Sequence, residues 1–179
     1  MKLKFLALFI GLNFALAMPA SADETVYDLI NNEDMDAFSD LVAIGYDIDE
    51  QDADGFSPLM VASALGKEKF VRFLVHNNAN VNKRSYAGLT AMHRAAQAGH
   101  NNIIDVLISA GANVNIPDFA GNTPLMYAVA SERRFTVERL VALGSDVNFI
   151  NAKGETALQI AQRKRFKEIY DFLKSKGAK

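Results

Sequence analysis

GLTAMHRAAQAGHNNIIDVLISAGANVN, the stretch from Gly88 to Asn115, has the pattern of two short helices joined by a turn. Thr90 has a hydroxyl that can cap the first helix by accepting a hydrogen bond from an N–H group of its first turn. Gly99 permits a tight turn, and the apolar run that follows it predicts a second helix. Gly111 comes after that helix, where a left-handed backbone costs glycine little. The stretch therefore predicts one helix–turn–helix unit.

The same unit recurs along the chain with a period of 33 residues. A glycine opens each full copy, and it stands at Gly55, Gly88, Gly121 and Gly154. A hydroxyl for the helix cap follows it, at Ser57, Thr90, Thr123 and Thr156. Leucines of the second helix keep the same register, at Leu74, Leu107, Leu140 and Leu173. Because so many positions agree in one register, the chain is predicted to be an array of similar units.

A period of 33 residues with two helices per repeat resembles the ankyrin repeat family. The residues that carry the resemblance are Thr90-Ala91-Met92-His93, Ser57-Pro58-Leu59, Thr123-Pro124-Leu125, Gly99-His100 and Gly111-Ala112-Asn113-Val114-Asn115. The resemblance covers residues 23–179 and implies an all-α fold, an ankyrin-repeat solenoid of about five stacked helix–turn–helix units. It also implies finger-like hairpin turns between the units, and a concave face on which protein partners are held.

Residues 1–22 are predicted to be a signal peptide rather than part of the fold. Lysines near the start precede the apolar run Leu3–Ala17, and the small residues Ala20 and Ala22 fit a signal-peptidase site. The alternative is a membrane anchor, but the apolar run is shorter than the roughly 20 residues that a spanning helix needs. We therefore expect cleavage before Asp23, with no membrane attachment of the mature chain.

The absence of cysteine gives a further indication of the compartment. A chain without cysteine has no disulfides and cannot be a lipid-anchored bacterial lipoprotein. Together with the lysine-led signal peptide, this predicts a bacterial periplasmic protein, with secretion as the alternative.

Residues 23–179 are predicted to form one ankyrin repeat domain. Its approximate units are 23–53, 54–86, 87–119, 120–152 and 153–179, of which the first and last act as polar caps. Asn78 stands where a turn glycine is usual, and asparagine is the next-best residue for a left-handed helix cap. In the fourth unit Thr136 replaces an isoleucine, so we expect looser packing of its second helix, offset by Phe135.

Nothing in the sequence predicts catalysis. It contains no His-Glu-x-x-His, no Gly-x-Ser-x-Gly and no phosphate-binding loop. The resemblance assigns His93 and His100 to hydrogen bonds within the scaffold. The acidic turn Asp47–Gly55 is calcium-like at first sight, but it lacks the full spacing and the terminal glutamate of a calcium loop. We therefore predict that the protein is not an enzyme and holds no cofactor or metal.

A row of aromatic residues predicts a binding surface. The same finger position reads Ala53, Tyr86, Phe119 and Ala152, so the two central fingers each carry a ring, with Phe56 and Phe149 nearby. Exposed rings in a row are typical of interface anchors. The alternative is that the rings fold back and only stiffen the fingers. By their repeat positions, the expected companions at the partner surface are Arg84, Arg94, Gln97, Tyr127 and Ser131.

Charge is distributed unevenly along the chain. Residues 23–54 contain 12 acidic and no basic residues, residues 55–130 carry a net charge of +3, and residues 131–179 carry +5. Such a field steers the encounter with a complementary partner. The alternative is a pair of solvated caps that keep the protein soluble, and we expect a monomer. Nucleic acid is not an expected partner, because the chain as a whole is acidic.

These observations predict a non-catalytic protein–protein interaction module that acts outside the cytoplasm. The most specific hypothesis is an inhibitor or immunity protein of a periplasmic or secreted enzyme. It rests on the expected compartment and on the expectation that the repeats act by occupancy alone. The alternatives are a secreted effector that binds a host protein, and a structural partner that stabilises a periplasmic enzyme or envelope complex.

Overall fold

The computed structural model describes residues 25–179, which form ten α-helices and no β-strand. The helices are α1 Val26–Asn32, α2 Met35–Ala43, α3 Pro58–Leu65, α4 Glu68–His76, α5 Ala91–Ala98, α6 Asn101–Ser109, α7 Pro124–Ala130, α8 Arg134–Ala142, α9 Ala157–Lys164 and α10 Lys167–Ser175. The predicted all-α fold class is confirmed. The predicted signal peptide, residues 1–22, lies outside the described residues. None of the ten helices is long and apolar enough to cross a membrane.

The described residues divide into two compact units, one that ends at Asp47 and one that comprises Ile48–Lys179. In the first unit α1 packs against α2. Thr25 caps α1, and its hydroxyl and backbone N–H both donate hydrogen bonds to the Asp28 carboxylate, which lowers the pKa of Asp28. Val26 and Leu29 are buried on this helix.

In the second unit the helices form two layers. The first helices of successive repeats, α3, α5, α7 and α9, pack side by side, and the second helices, α4, α6, α8 and α10, do the same. The 33-residue period determines these layers, because it places the same type of buried residue at the same position in each repeat. Fully buried alanines let the first helices approach closely, at Ala62, Ala95, Ala128 and Ala161. Fully buried leucines fill the space beneath the second helices, at Leu74, Leu107, Leu140 and Leu173. We call these the first-helix layer and the second-helix layer.

The turns between first and second helices need a left-handed residue, and glycine does not always supply it. Gly66 and Gly99 adopt φ angles of +74° and +93° there, whereas Glu132 takes φ 57° at the end of α7. After the second helix of its repeat, Asn78 adopts φ 65°. The prediction that asparagine replaces a glycine at this left-handed position is confirmed.

The fourth repeat corrects one prediction. Phe135 does not compensate for Thr136, because its side chain is 75% exposed near the start of α8. Thr136 is buried, and its hydroxyl donates a 2.7 Å hydrogen bond to the side-chain oxygen of Asn101 in α6. A hydrogen bond to the preceding repeat therefore satisfies the polar group that replaces isoleucine.

Four tight turns precede the first helices of the second unit, and we call them the fingers: residues 52–56, 85–89, 118–122 and 151–155. In each finger the first residue's backbone N–H donates to the last residue's carbonyl oxygen. The side chain of the first residue also accepts a hydrogen bond from the last residue's N–H, in the pairs Asp52–Phe56, Ser85–Leu89, Asp118–Asn122 and Asn151–Glu155. These short polar side chains explain why the fingers form.

Asparagine side chains connect each repeat to the next. Asn82, Asn115 and Asn148 each accept a hydrogen bond from a backbone N–H of the following repeat. Each also donates to a glycine carbonyl oxygen of that repeat, at Gly111, Gly144 and Gly177. Because these bonds join side chain to backbone, they set the position of one repeat on its neighbour.

Candidate protein-binding surface

The two finger rings are exposed and braced at the same time. Tyr86 is 69% exposed and Phe119 is 68% exposed. A Cβ atom placed on Gly55 would lie 2.6 Å from the backbone nitrogen of Tyr86 and 2.8 Å from its ring. A Cβ atom placed on Gly88 would lie 2.7 Å from the backbone nitrogen of Phe119 and 2.9 Å from its ring. Each ring therefore lies against the glycine of the preceding finger. The rings therefore contact the preceding finger and still leave most of their surface exposed, while their role in binding stays a prediction.

Backbone hydrogen bonds hold neighbouring fingers together. The N–H of Phe119 donates to the carbonyl oxygen of Ala87 at 3.1 Å, and the N–H of Ala152 donates to that of Ala120 at 3.0 Å. The aromatic position of one finger is thereby fixed to the tip of the finger before it. A partner would meet rings that are already ordered.

Arg84 belongs to the same arrangement. Its guanidinium carbon lies 4.9 Å from the centroid of the Phe119 ring, a cation–π distance. Its Nη2 donates a 2.6 Å hydrogen bond to the carbonyl oxygen of Pro117, and Gln51 donates to the carbonyl oxygen of Arg84 at 2.8 Å. The side chain is half-buried and held in one orientation.

A second arginine repeats this chemistry on the first-helix layer. The guanidinium carbon of Arg94, in α5, lies 5.1 Å from the centroid of the Phe56 ring. Its Nη1 donates to the side-chain oxygen of Gln97 at 3.2 Å. Arg94 thus contacts two other predicted partner residues, Gln97 in its own repeat and Phe56 in the preceding repeat.

Tyr127 lies over a buried polar network. Its hydroxyl donates a 2.8 Å hydrogen bond to Asp118, and its ring meets the His93 ring edge-on with centroids 5.4 Å apart. Burial and the bond to Asp118 raise the pKa of Tyr127 to about 12. The phenol therefore stays neutral at physiological pH and acts as a hydrogen-bond donor.

His93 holds this network to the scaffold. Its Nδ1 accepts a hydrogen bond from the backbone N–H of Thr90 at 3.1 Å, and its Nε2 lies 3.1 Å from the carbonyl oxygen of Asn122 in the next repeat. This pattern requires a neutral ring protonated at Nε2. Burial lowers the pKa of His93 to about 4, although the bond to Asn122 opposes the shift.

Two predicted residues lie apart from this group. Ser131 is the C-cap residue of α7, and Phe149 lies in the turn before the last finger; both are half-buried. Within residues 25–179, neither side chain has a hydrogen bond or ring contact with the group around Arg84, Arg94 and Tyr127.

Asp118 and Asn122 form hydrogen bonds with residues of this group but were not among the predicted residues. Asp118 is buried, and its carboxylate accepts hydrogen bonds from Tyr127 and from the backbone of Ala120 and Asn122. A signal for it was present, because the same finger position reads Asp52, Ser85, Asp118 and Asn151. A short polar residue that recurs there indicates a turn cap, which predicts its place in the finger but not its contact with Tyr127.

A shallow groove extends the surface beyond Tyr127. It has a volume of about 180 Å³ and runs between α7 and α9, where its lining includes Ala130, Lys153, Ile160 and Arg163. A larger groove, of about 660 Å³, lies on the second-helix layer between α4 and α6. Across the described part of the chain, no group of three acidic or histidine side chains is placed to hold a metal ion.

The helix pairs, the braced fingers and the links from repeat to repeat define a helical-repeat solenoid protein. The chain belongs to the ankyrin repeat family: the family model for ankyrin repeats (three copies) matches residues 25–118 and 117–179. Comparison with curated proteins gave no match. Ankyrin repeats are protein–protein interaction modules and are typically non-catalytic, so the expected partners of this chain are proteins.

Proposed function

We propose that this protein acts outside the cytoplasm and binds its partner through the fingers and the adjoining first-helix layer. The observation that supports the proposed binding surface is the pair of braced rings, Tyr86 and Phe119, while the compartment is inferred from the sequence of residues 1–22 alone. Large aromatic side chains dominate binding energy at interfaces, and rings that are ordered before binding lose little entropy when the complex forms. Arg84 and Arg94, each stacked on a ring, extend the same surface.

We further propose that the biological role is inhibition or immunity, in which the module blocks a periplasmic or secreted enzyme. A rigid surface can act by occupancy alone, and export would bring it to such enzymes. Under this proposal, deletion of the protein releases an enzymatic activity or proves toxic. A stabilising partner would give the opposite result, with loss of an activity on deletion. Recovery from the medium or from a host cell, instead of the periplasm, would favour the secreted effector.

The test of the binding surface uses purified protein as bait in a periplasmic extract, followed by affinity measurements on the captured partner. Tyr86→Ala and Phe119→Ala are each expected to weaken binding by about 2 kcal/mol, or roughly 30-fold. The matched control is Phe135→Ala, because this ring is 75% exposed but lies on α8 in the second-helix layer. Its affinity should equal that of the wild type.

Thermal unfolding of each variant accompanies the binding assay, since the finger rings also brace their neighbours. A loss of less than about 1 kcal/mol in binding for both finger variants would remove the rings from the binding surface. Equal weakening by Phe135→Ala would place the partner elsewhere on the molecule.

A further inference from the structure

Arginines on the second-helix layer are paired with carboxylates. Arg139 in α8 binds Asp105 in α6 at 2.7 Å, and Arg134 in α8 binds Glu168 in α10 at 2.6 Å. Each of these pairs joins two neighbouring repeats. These two arginines are therefore satisfied by carboxylates of the protein itself.

Arg84 and Arg94, the two arginines that lie over aromatic rings near the fingers, have no such partner. Arg84 donates to the backbone oxygen of Pro117 and Arg94 to the amide oxygen of Gln97, both of which are uncharged acceptors. Neither arginine forms an ion pair within residues 25–179. The Nε atom of each is buried without a hydrogen-bond acceptor in the described chain, which is costly for a charged donor.

Asp118, the carboxylate that is hydrogen-bonded to Tyr127, is already committed. Asp118 is 7% exposed, and the Tyr127 hydroxyl and two backbone N–H groups donate to it. It lies beneath the surface and forms no ion pair with Arg84 or Arg94. Lys83, next to Arg84, and Lys153, in the groove beside Tyr127, add positive charge that also has no ion pair in the described chain.

We infer that the partner presents an acidic segment to this surface, in which carboxylates bind Arg84 and Arg94 while apolar side chains pack on Tyr86 and Phe119. Guanidinium groups bind carboxylates through two parallel hydrogen bonds, and the stacked rings hold both groups in place beforehand. The inference rests on the proposed function, because it names the chemistry of the partner at the same site.

The test uses a synthetic peptide that alternates glutamate with leucine, labelled with a fluorophore, and the same peptide with glutamine in place of glutamate. Fluorescence polarisation with the purified protein should give an affinity about tenfold higher for the glutamate peptide. Arg84→Gln and Arg94→Gln should each reduce that preference, and the double variant should abolish it. The matched controls, Arg134→Gln and Arg139→Gln, make the same chemical change on the second-helix layer and should leave the preference intact.

Three results would overturn the inference. These are equal affinity for the two peptides, an unchanged preference in the double variant, or equally tight and equally arginine-dependent binding of a single-stranded oligonucleotide of matched charge. The last would indicate a phosphate-bearing partner. Circular dichroism checks that each variant folds. If the double variant does not fold, the change in peptide preference in the two single variants decides the outcome.

The proposed function and the inference can fail separately. With the captured partner, loss of affinity in Tyr86→Ala but none in the arginine double variant would retain the finger surface and reject the acidic segment. The reverse result would retain the acidic segment and reject the aromatic anchors.

Discussion

Neighbouring repeats are joined on two sides by different chemistry. One is the finger side, which comprises the fingers and the loops that lead into them from the second helices, and the other is the second-helix layer. On the finger side the links are hydrogen bonds and ring contacts, with no ion pair between repeats in the described residues, as in the Phe119–Ala87 backbone bond and the Asn115 amide bonded to the next repeat. On the second-helix layer they include ion pairs such as Arg139–Asp105. Arg84 and Arg94 also join neighbouring repeats, through the Pro117 carbonyl oxygen and the Phe119 and Phe56 rings, but they do so without a carboxylate. The comparison teaches that a repeat protein can build a rigid surface and still leave its charges available for a partner.

The largest expected effect comes from a substitution that disturbs the close approach of one finger to the next. In Gly88→Ala the new methyl group would lie 2.7 Å from the backbone nitrogen of Phe119, at a residue whose φ is +82°. The left-handed backbone alone costs an alanine roughly 1–2 kcal/mol, and the collision with a neighbouring backbone adds to it. We expect a loss of about 3 kcal/mol in the free energy of unfolding, measured by urea denaturation.

Gly154→Ala is the matched control for that substitution. Gly154 has φ +75°, but a methyl group there would meet no atom within 4 Å. It should show the backbone cost alone, about 1 kcal/mol. If the two variants lose the same stability, then contact between the fingers contributes nothing and the finger side is not the rigid one.

The next largest effect concerns pH and the buried His93. Its pKa falls from an ordinary value near 6.5 to about 4 in the folded protein, because burial disfavours the charged ring. The unfolded chain binds the proton first, so the stabilising contribution is complete above pH 6.5 and is lost as the pH falls toward 4. Between pH 7 and pH 5 we expect the free energy of unfolding to drop by about 2 kcal/mol.

His93→Gln separates this histidine from other titrating groups. Gln159 already performs the same capping role in α9, where its side-chain oxygen accepts the backbone N–H of Thr156 at 2.8 Å. Glutamine at position 93 can keep the cap but cannot take up a proton. Urea midpoints of the variant should change less between pH 7 and pH 5 than those of the wild type. An equal change would mean that His93 does not titrate with folding.

The sequence predicts the repeats well because the residues that recur every 33 positions act locally or by size. Glycines set turns, alanines allow close helix packing, and leucines fill the core. The hydroxyl caps of α7 by Thr123 and of α9 by Thr156 were predictable for the same reason, whereas Ser57 forms no such side-chain bond at α3.

Details that depend on contact between repeats could not be predicted from the sequence. Whether Tyr86 projects or folds back depends on its contact with Gly55, which belongs to another finger. Phe135 appeared to fill space beside Thr136, whereas Thr136 instead reaches Asn101 in the preceding repeat. The rotamer of each long side chain, which decides which arginine meets a carboxylate, is not encoded in repeat position.

A smaller effect compares asparagines on the two sides. Asn115→Ala removes a side chain that accepts the N–H of Asp146 and donates to the carbonyl oxygen of Gly144. It leaves backbone groups without their partners, so we expect a loss of about 1.5 kcal/mol. The control is Asn102→Ala, whose exposed side chain on α6 donates to Glu68, and which should cost less than about 0.5 kcal/mol. Equal losses in urea denaturation would contradict the difference between the two sides.

The smallest expected effect belongs to the ion pair between Arg139 and Asp105. Both side chains are almost half exposed, at 44% and 45%, so water and salt screen their attraction. Arg139→Gln should lower the free energy of unfolding by about 0.5 kcal/mol or less, and a double-mutant cycle with Asp105→Asn should give a coupling that declines as salt is added. A coupling well above about 1.5 kcal/mol that persists in high salt would reverse the comparison. The ion pairs of the second-helix layer would then hold the repeats together. The finger side, where Arg84 and Arg94 have no carboxylate partner, would be the less stable side, and the fingers could move before a partner binds.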